Sequence, residues 1–345
     1  MVYRKGEYIP MRKRVYAITA ILSLSLMLSA CEKTDASTST VLSETPIVST
    51  ETLTSTETSV SLETSEASAK TPSSDVESVK ALLDGFIACT EKATVTEAGD
   101  VGNYYSFTAA MKAGESYTLT EIIDNLTVYM EQEGWGKAPT LGNITSDYID
   151  CGVDGKPDLH VSIELPVEDI EPFVVDMIVV EKDGKLVIAF NGDSWTRSQT
   201  TVEANGYISS AGSAGAAVMA YDSAFVDGNG DYQFVVKGED VSDVWAGDLY
   251  VGFATKEGGI IVDLAGQDTE DLMVGFVSFK EDPDSSDIYA ILESKSGSEA
   301  TAAFYEDGNP IKAAFEATGI KVITLNDFIA LRQARLDELG YKEIQ

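Results

Sequence analysis

Histidine is nearly absent: the 345 residues contain one, His160. A metal centre built on histidines is therefore excluded, and any Ser-His-Asp relay would have to use that single ring. Cysteine is scarce, at three residues, which excludes the disulfide-dense scaffold of a small secreted domain. Basic residues are outnumbered, with 24 Lys and Arg against 57 Asp and Glu and a formal net charge of −33. Such a surface repels phosphate backbones, so nucleic acid is excluded as a partner, and partners recruited by charge should be cations or basic surfaces. No Walker loop, HExxH or G-x-S-x-G phrase occurs, so the motif-borne phosphate, zinc and serine-nucleophile chemistries have no sequence support. Long apolar runs are missing too. The stretch over 15–30 is shorter than the roughly 20 residues a membrane-spanning helix needs.

What precedes that stretch is basic: Arg4, Lys5, Arg12, Lys13 and Arg14. A charged segment before a short apolar one reads as a secretory signal. Met11, directly before Arg12, is a second candidate start. The apolar stretch ends in Leu28-Ser29-Ala30-Cys31. This resembles the lipobox of bacterial lipoproteins, an aliphatic residue and two small ones before the cysteine that is lipidated and becomes residue one. The resemblance implies a signal peptide over 1–30, cleavage before Cys31, palmitate-type acyl chains on that cysteine, and an extracytoplasmic, cell-membrane-anchored protein. Each buried CH₂ contributes about 0.8 kcal/mol, so two or three chains anchor stably where one would not. Loss of a leader with five basic residues and one acidic residue, Glu7, takes the net charge from −33 to −37.

From Cys31 to Ser73 the chain is mostly Ser, Thr, Glu, Ala and Val, without one aromatic residue. So little apolar surface cannot offset chain entropy, and the segment reads as a disordered tether. The remaining residues, 74–345, are enough for one large domain or for two lobes split near 200. Val79, Leu82, Leu83, Phe86 and Ile87 share a helical face after Ser74-x-x-Glu77. A second helix starts at Thr118-x-x-Glu121, buries Ile122, Ile123, Leu126, Tyr129 and Met130, and stops at Gly134. Strands are predicted at Leu159 to Leu165, on either side of Asp183-Gly184, on either side of Asp227 to Asp231, at Leu249 to Phe253, at Val274 to Phe279 and at Ile320 to Ile323. Gly206 to Ala217 reads as a loop or a seam. Leu325, Phe328, Ile329, Leu331, Leu336 and Leu339 form the stripe of a last helix, stopped by Gly340, with Arg332 at its edge. Helices near both ends and antiparallel hairpins between them give an α+β class.

One loop carries chemistry. In Asp150-Cys151-Gly152-Val153-Asp154-Gly155-Lys156-Pro157-Asp158, Asp stands at positions 1, 5 and 9 and Gly at position 6. Alternate oxygens on a tight turn suit Ca²⁺, which takes six to eight of them. The loop resembles those of FG-GAP and VCBS-type repeats and, more loosely, of EF-hands. The resemblance implies Ca²⁺ held by Asp150, Asp154 and Asp158 with the Lys156 carbonyl. Gly152 departs from it, because the families carry Asp or Asn there. The competing reading is an acidic turn that opens the strand at Leu159. The wider phrase from Asp147 to Leu165, with the later stretch from Gly206 to Tyr232, is also similar to Firmicutes-type lipoproteins of uncharacterised function, which supports the address and implies no activity. Asp227-x-Asn229-x-Asp231 reads as a hairpin turn.

Cys89 and Cys151 read as free thiols rather than a bridge, and His160 as a surface residue on the polar side of a strand. Trp135, Trp195 and Trp245 read as packing residues. The functional expectation is a surface module that binds or supports without catalysing. A carboxylate-based glycan hydrolase, which needs two carboxylates astride a cleft, and an accessory lipoprotein of an envelope or export complex, which needs an exposed apolar patch, are the alternatives. The ligand, protein or glycan, is not legible.

Overall fold

The computed structural model describes residues 74–96, 107–134, 143–165, 173–253 and 259–344; the leader, Cys31, the tether and Trp135 lie outside them. The first described helix, α1 (Ser74–Ile87), buries Val79, Leu83 and Phe86. The second, α2 (Leu119–Glu133), begins at a reciprocal cap: the Glu121 amide donates to Thr118 Oγ1 at 3.2 Å and the Thr118 amide to Glu121 Oε2 at 2.7 Å. Two orphan donors of the first turn are satisfied in this way. Gly134, at φ 73°, ends the helix in the left-handed region that glycine adopts without strain.

Both helices lie on one face of a six-stranded sheet built from β1 (Ala93–Val95), β2 (Ser116–Tyr117), β3 (Ile144–Ile149), β4 (Asp158–Leu165), β5 (Phe173–Lys182) and β6 (Lys185–Ser194). The strand order is β2-β1-β6-β5-β4-β3, antiparallel except where β1 runs parallel to β6. Period-two alternation explains the burial. Leu159, Val161 and Ile163 of β4 and Val175 and Met177 of β5 meet Leu83, Phe86, Ile122 and Leu126 of the helices. The Asp183-Gly184 turn has φ of 53° and 79°, the doubly left-handed geometry that matches strand twist in a two-residue hairpin.

The chain passes into a second sheet at Trp195 and Ser198, which bridge to each other. Its strands are β7 (Ser198–Val202), β8 (Tyr207–Ser213), β9 (Val218–Val226), β10 (Tyr232–Val241), then, after a separate hairpin of β11 (Asp248–Val251) and β12 (Ile260–Asp263), β13 (Leu272–Ser278), β14 (Ile288–Ser294) and β15 (Lys321–Val322). The order is β15-β14-β13-β10-β9-β8-β7. Ile178, Val180 and Phe190 on the outer face of the first sheet pack on Ile208, Ala224 and Val226 of the second. A third core joins β13 and β14 to the β11–β12 hairpin and to α4 (Pro310–Ala317), which follows the short α3 (Ser298–Phe304). The last helix, α5 (Leu325–Glu338), is capped by Thr324 and Asp327. Among the described residues these five helices and fifteen strands in mixed sheets have helices near both ends, the α+β class expected.

Two expectations are corrected. Most of 206–217 is not a loop: Tyr207–Ser213 is a paired strand between β7 and β9, and only 214–217 form the connecting bend. Small residues are needed there, because a Cβ on Gly212 would sit 1.8 Å from Ser198 Oγ. The stripe of α5 is only partly buried, with Phe328 and Leu336 inside and Ile329 and Leu331 exposed. The helix docks through Phe328 and Leu336 together with two arginines. Arg332 Nη2 donates to Tyr207 Oη at 2.6 Å with its guanidinium over the Tyr207 ring, and Arg335 Nη2 donates to the Phe234 carbonyl at 3.3 Å. After Gly340 the chain turns so that Tyr341 meets the rings of Tyr207 and Phe225 edge-on.

Candidate functional site

Residues 150–157 connect β3 to β4, since Ile149 pairs with Asp158. The loop closes on its own amides. Asp150 Oδ1 accepts from the Asp154 amide at 2.8 Å and the Gly155 amide at 3.1 Å, and Asp154 Oδ1 accepts from the Lys156 amide at 2.8 Å. Asp158 Oδ2 accepts from the Cys151 amide at 2.9 Å inside the protein. Gly152 and Gly155 take φ of 69° and 84°, and Val153 takes 52°. A β-branched residue is rarely found there, and its presence marks a backbone held by its surroundings.

Those surroundings are the second acidic turn. A Cβ on Gly152 would lie 2.2 Å from the Gly228 amide nitrogen, and one on Gly206 would lie 2.7 Å from Cys151 Sγ. The position where calcium loops carry Asp or Asn is thus glycine for a steric reason: the backbone of Asp227 and Gly228 occupies the space. The second turn is a self-closed hairpin, as expected, with Asp227 Oδ1 accepting from the amides of Asn229 at 2.8 Å and Asp231 at 3.0 Å. Asp154, Asp158, Glu181 and Asp227 line a cleft of about 10 Å³ between the turns, room for a water molecule. On the other side of the loop an open groove of about 460 Å³ is lined by Tyr148, Val153, Pro157, Ala204 and Ile344.

Burial pushes the Asp158 carboxyl up to about 7; the Cys151 amide and thiol oppose the rise, and the charges of Asp154 and Asp150 add to it. Burial also pushes the Cys151 thiol far above its usual range, assisted by Asp158. Both Cys89 and Cys151 are free. Among the described residues no three His, Cys, Asp or Glu side chains are placed to hold a metal ion together. Of the residues named for Ca²⁺, Asp150, Asp154 and Asp158 each accept from backbone N–H groups.

His160 is not a bare surface residue. Its Nε2 lies 2.9 Å from Asp176 Oδ1, the same oxygen that accepts the Ser162 hydroxyl, and Ser162 Oγ lies 3.4 Å from that same Nε2. A relay needs the serine on one ring nitrogen and the carboxylate on the other. Here both converge on Nε2 and the hydroxyl proton points at the carboxylate, so the trio ties β4 to β5 and activates no nucleophile. Trp195 does pack, stacked on Phe173 at 6.3 Å between centroids. Trp245 does not: it is 78% exposed. Sequence reasoning found both acidic turns and missed that they meet; the glycines at 152, 206 and 228 were the available signal. No helix among the described residues is long and apolar enough to cross a membrane. Comparison of the chain with protein-family models, with curated proteins and with solved structures gives no match.

Proposed function

We propose that this chain is a lipid-anchored, extracytoplasmic surface protein whose region 74–345 is a non-enzymatic binding or structural module. The address rests on Leu28-Ser29-Ala30-Cys31 and the basic, then apolar, leader before it. The observation that carries the module reading is the locked pair of acidic turns. Their carboxylates are bound to amides, and the cleft between them admits a water molecule but no sugar ring. That argues against the hydrolase alternative at this site, since an acid–base pair must flank a glycosidic bond. The accessory-lipoprotein reading is favoured by a separate observation, the exposed apolar side chains of Tyr148, Val153 and Ile344 along the open groove.

Calcium belongs to the proposal with a defined requirement. Asp158 Oδ2 accepts from the Cys151 amide, so Asp158 would join Asp150, Asp154 and the Lys156 carbonyl around one ion through Oδ1. Melting the full-length protein with Ca²⁺ and with chelator tests this; a higher Tm with Ca²⁺, absent in Asp154→Ala, is the expected result, and identical curves discard calcium. The anchor is tested by the mass of the N-terminal peptide of membrane-extracted protein. An acylated Cys31 and release of Cys31→Ser from the membrane fraction are expected, and an unmodified Cys31 overturns the address.

A further inference from the structure

The β11–β12 hairpin forms a ladder of its own. Its inner face, Leu249, Val251, Ile260 and Val262, is buried in the core shared with β13 and β14. Its end is clamped, because Glu239 Oε2 accepts from the Gly252 amide at 2.9 Å and a Cβ on Gly252 would lie 2.5 Å from Glu239 Oε1. The outer face carries both acidic and apolar side chains. Tyr250 stands opposite Ile261 and Asp248 opposite Asp263 in register. Tyr250 is 60% exposed and Ile261 40%, and Trp245, three residues before the hairpin, is the most exposed large apolar side chain among the described residues. Asp248 and Asp263 make no ion pair among the described residues, and Asp263 Oδ1 accepts only the Ala265 amide, at 2.9 Å.

Carboxylates directly opposite each other across a ladder repel, and aromatic rings left in water forgo their burial. Both costs are removed together by a partner that is apolar and positively charged. The net charge of −33 disfavours a second copy of this chain, and the same sign disfavours anionic lipid and nucleic acid. We propose that the outer face of β11–β12, with Trp245, docks a cationic amphipathic polypeptide segment. Its apolar side chains cover Trp245, Tyr250 and Ile261, and its Lys or Arg side chains sit over Asp248 and Asp263, where the aromatic faces also attract the cation. This rests on the folded region being a binding module and not on the lipid.

The probe is a fluorescent synthetic peptide of Leu and Lys at helical spacing, titrated by anisotropy against the full-length protein in non-ionic detergent. Controls are a Leu/Glu peptide and neutral chitin and β-glucan oligosaccharides. The Leu/Lys peptide binds and shields Trp245 from iodide quenching, and the Leu/Glu peptide does not bind. The double change Trp245→Ala, Tyr250→Ala weakens binding at least about tenfold, as loss of aromatic anchors does. Asp248→Asn, Asp263→Asn weakens it and flattens its salt dependence. These side chains are exposed, so an unchanged urea midpoint verifies folding. Equal binding by the aromatic double variant assigns the attraction to overall acidity and overturns the inference, as do absence of peptide binding and oligosaccharide binding that the variant abolishes. Failure here with an acylated Cys31 leaves the address standing, and an unmodified Cys31 with site-dependent binding leaves this inference standing.

Discussion

Replacing Gly152 by alanine tests whether the two acidic turns are locked together. The backbone there has φ 69°, and the new Cβ would meet the Gly228 nitrogen at 2.2 Å, its Cα at 2.8 Å and the Asp227 carbonyl carbon at 3.0 Å. The left-handed conformation costs an alanine about 1–2 kcal/mol. Forcing atoms into a filled space adds about 1–3 kcal/mol, and backbone cannot rotate aside as a side-chain tip can. A total of about 2–5 kcal/mol follows from these two terms. Gly155→Ala is the internal control, because φ is 84° but nothing lies within 4 Å of the added carbon; it should lose only the conformational part, about 1–2 kcal/mol. Gly228→Ala adds a third point, since its Cβ would meet the Asp154 Cβ at 3.3 Å, a side chain able to shift. Urea denaturation reads all three as midpoint changes at constant slope. If Gly152→Ala and Gly155→Ala shift the midpoint equally, the turns do not press on each other and the contact is not what selects glycine.

Much of the first sheet was legible because its residues obey one period. Leu159, Val161, Ile163 and Leu165 alternate with polar residues, and all four are buried against the helices. Thr118, Glu121 and Gly134 announced both ends of α2 by cap chemistry that is local in the chain. Tyr207–Ser213 escaped for the opposite reason. Ser, Ala and Gly have no periodic apolar signal, and their role is to let β7 and β9 come close, a tertiary fact. The stripe on α5 was legible only in part: Phe328 and Leu336 are inside, whereas Ile329 and Leu331, also apolar at helical spacing, are exposed and Arg332 and Arg335 complete the docking.

The site divides in the same way. Asp150 to Asp158 was legible as an acidic turn, since Asp side chains reach amides two to five residues on. Its meeting with 227–231 was not, because Gly152 and Gly228 are 76 positions apart in the chain and touch through backbone. Strand alternation assigns His160 to the polar face and so predicts a surface residue. That face is half covered, and Asp176 and Ser162 supply the polar partners that a partly buried ring requires.

Two further outcomes follow from the buried groups around the loop. Cys151 is 1% exposed and its thiol is held protonated by burial and by Asp158, so a maleimide should leave it unlabelled in the native protein and modify it only on unfolding; peptide mapping that finds native labelling would refute the burial. Asp158 makes stability depend on pH, and the sign follows from burial. Its carboxyl sits at about 7 in the folded protein against an ordinary 3.8. Between those values the folded state holds a proton that the unfolded state has released, so unfolding free energy falls as pH rises through the window. A tenfold difference in proton affinity between folded and unfolded protein is worth about 1.4 kcal/mol, which sets a ceiling on the order of 4 kcal/mol. Burial, with the charge of Glu293, also holds Asp240 at about 7, so the wild-type slope contains both groups and neither can be read from it alone. Asp158→Asn keeps an acceptor for the Cys151 amide and cannot ionise. Measured by urea midpoint in chelator from about pH 4 to 8, the variant should lose less stability than wild type and exceed it at the alkaline end. Asp240→Asn should remove its own share, leaving those of Glu203, Glu239 and Glu293, which burial also raises. Curves for Asp158→Asn and wild type that run parallel across the whole range would mean that Asp158 ionises as freely in the fold as out of it, and that the cleft between the turns is open to water.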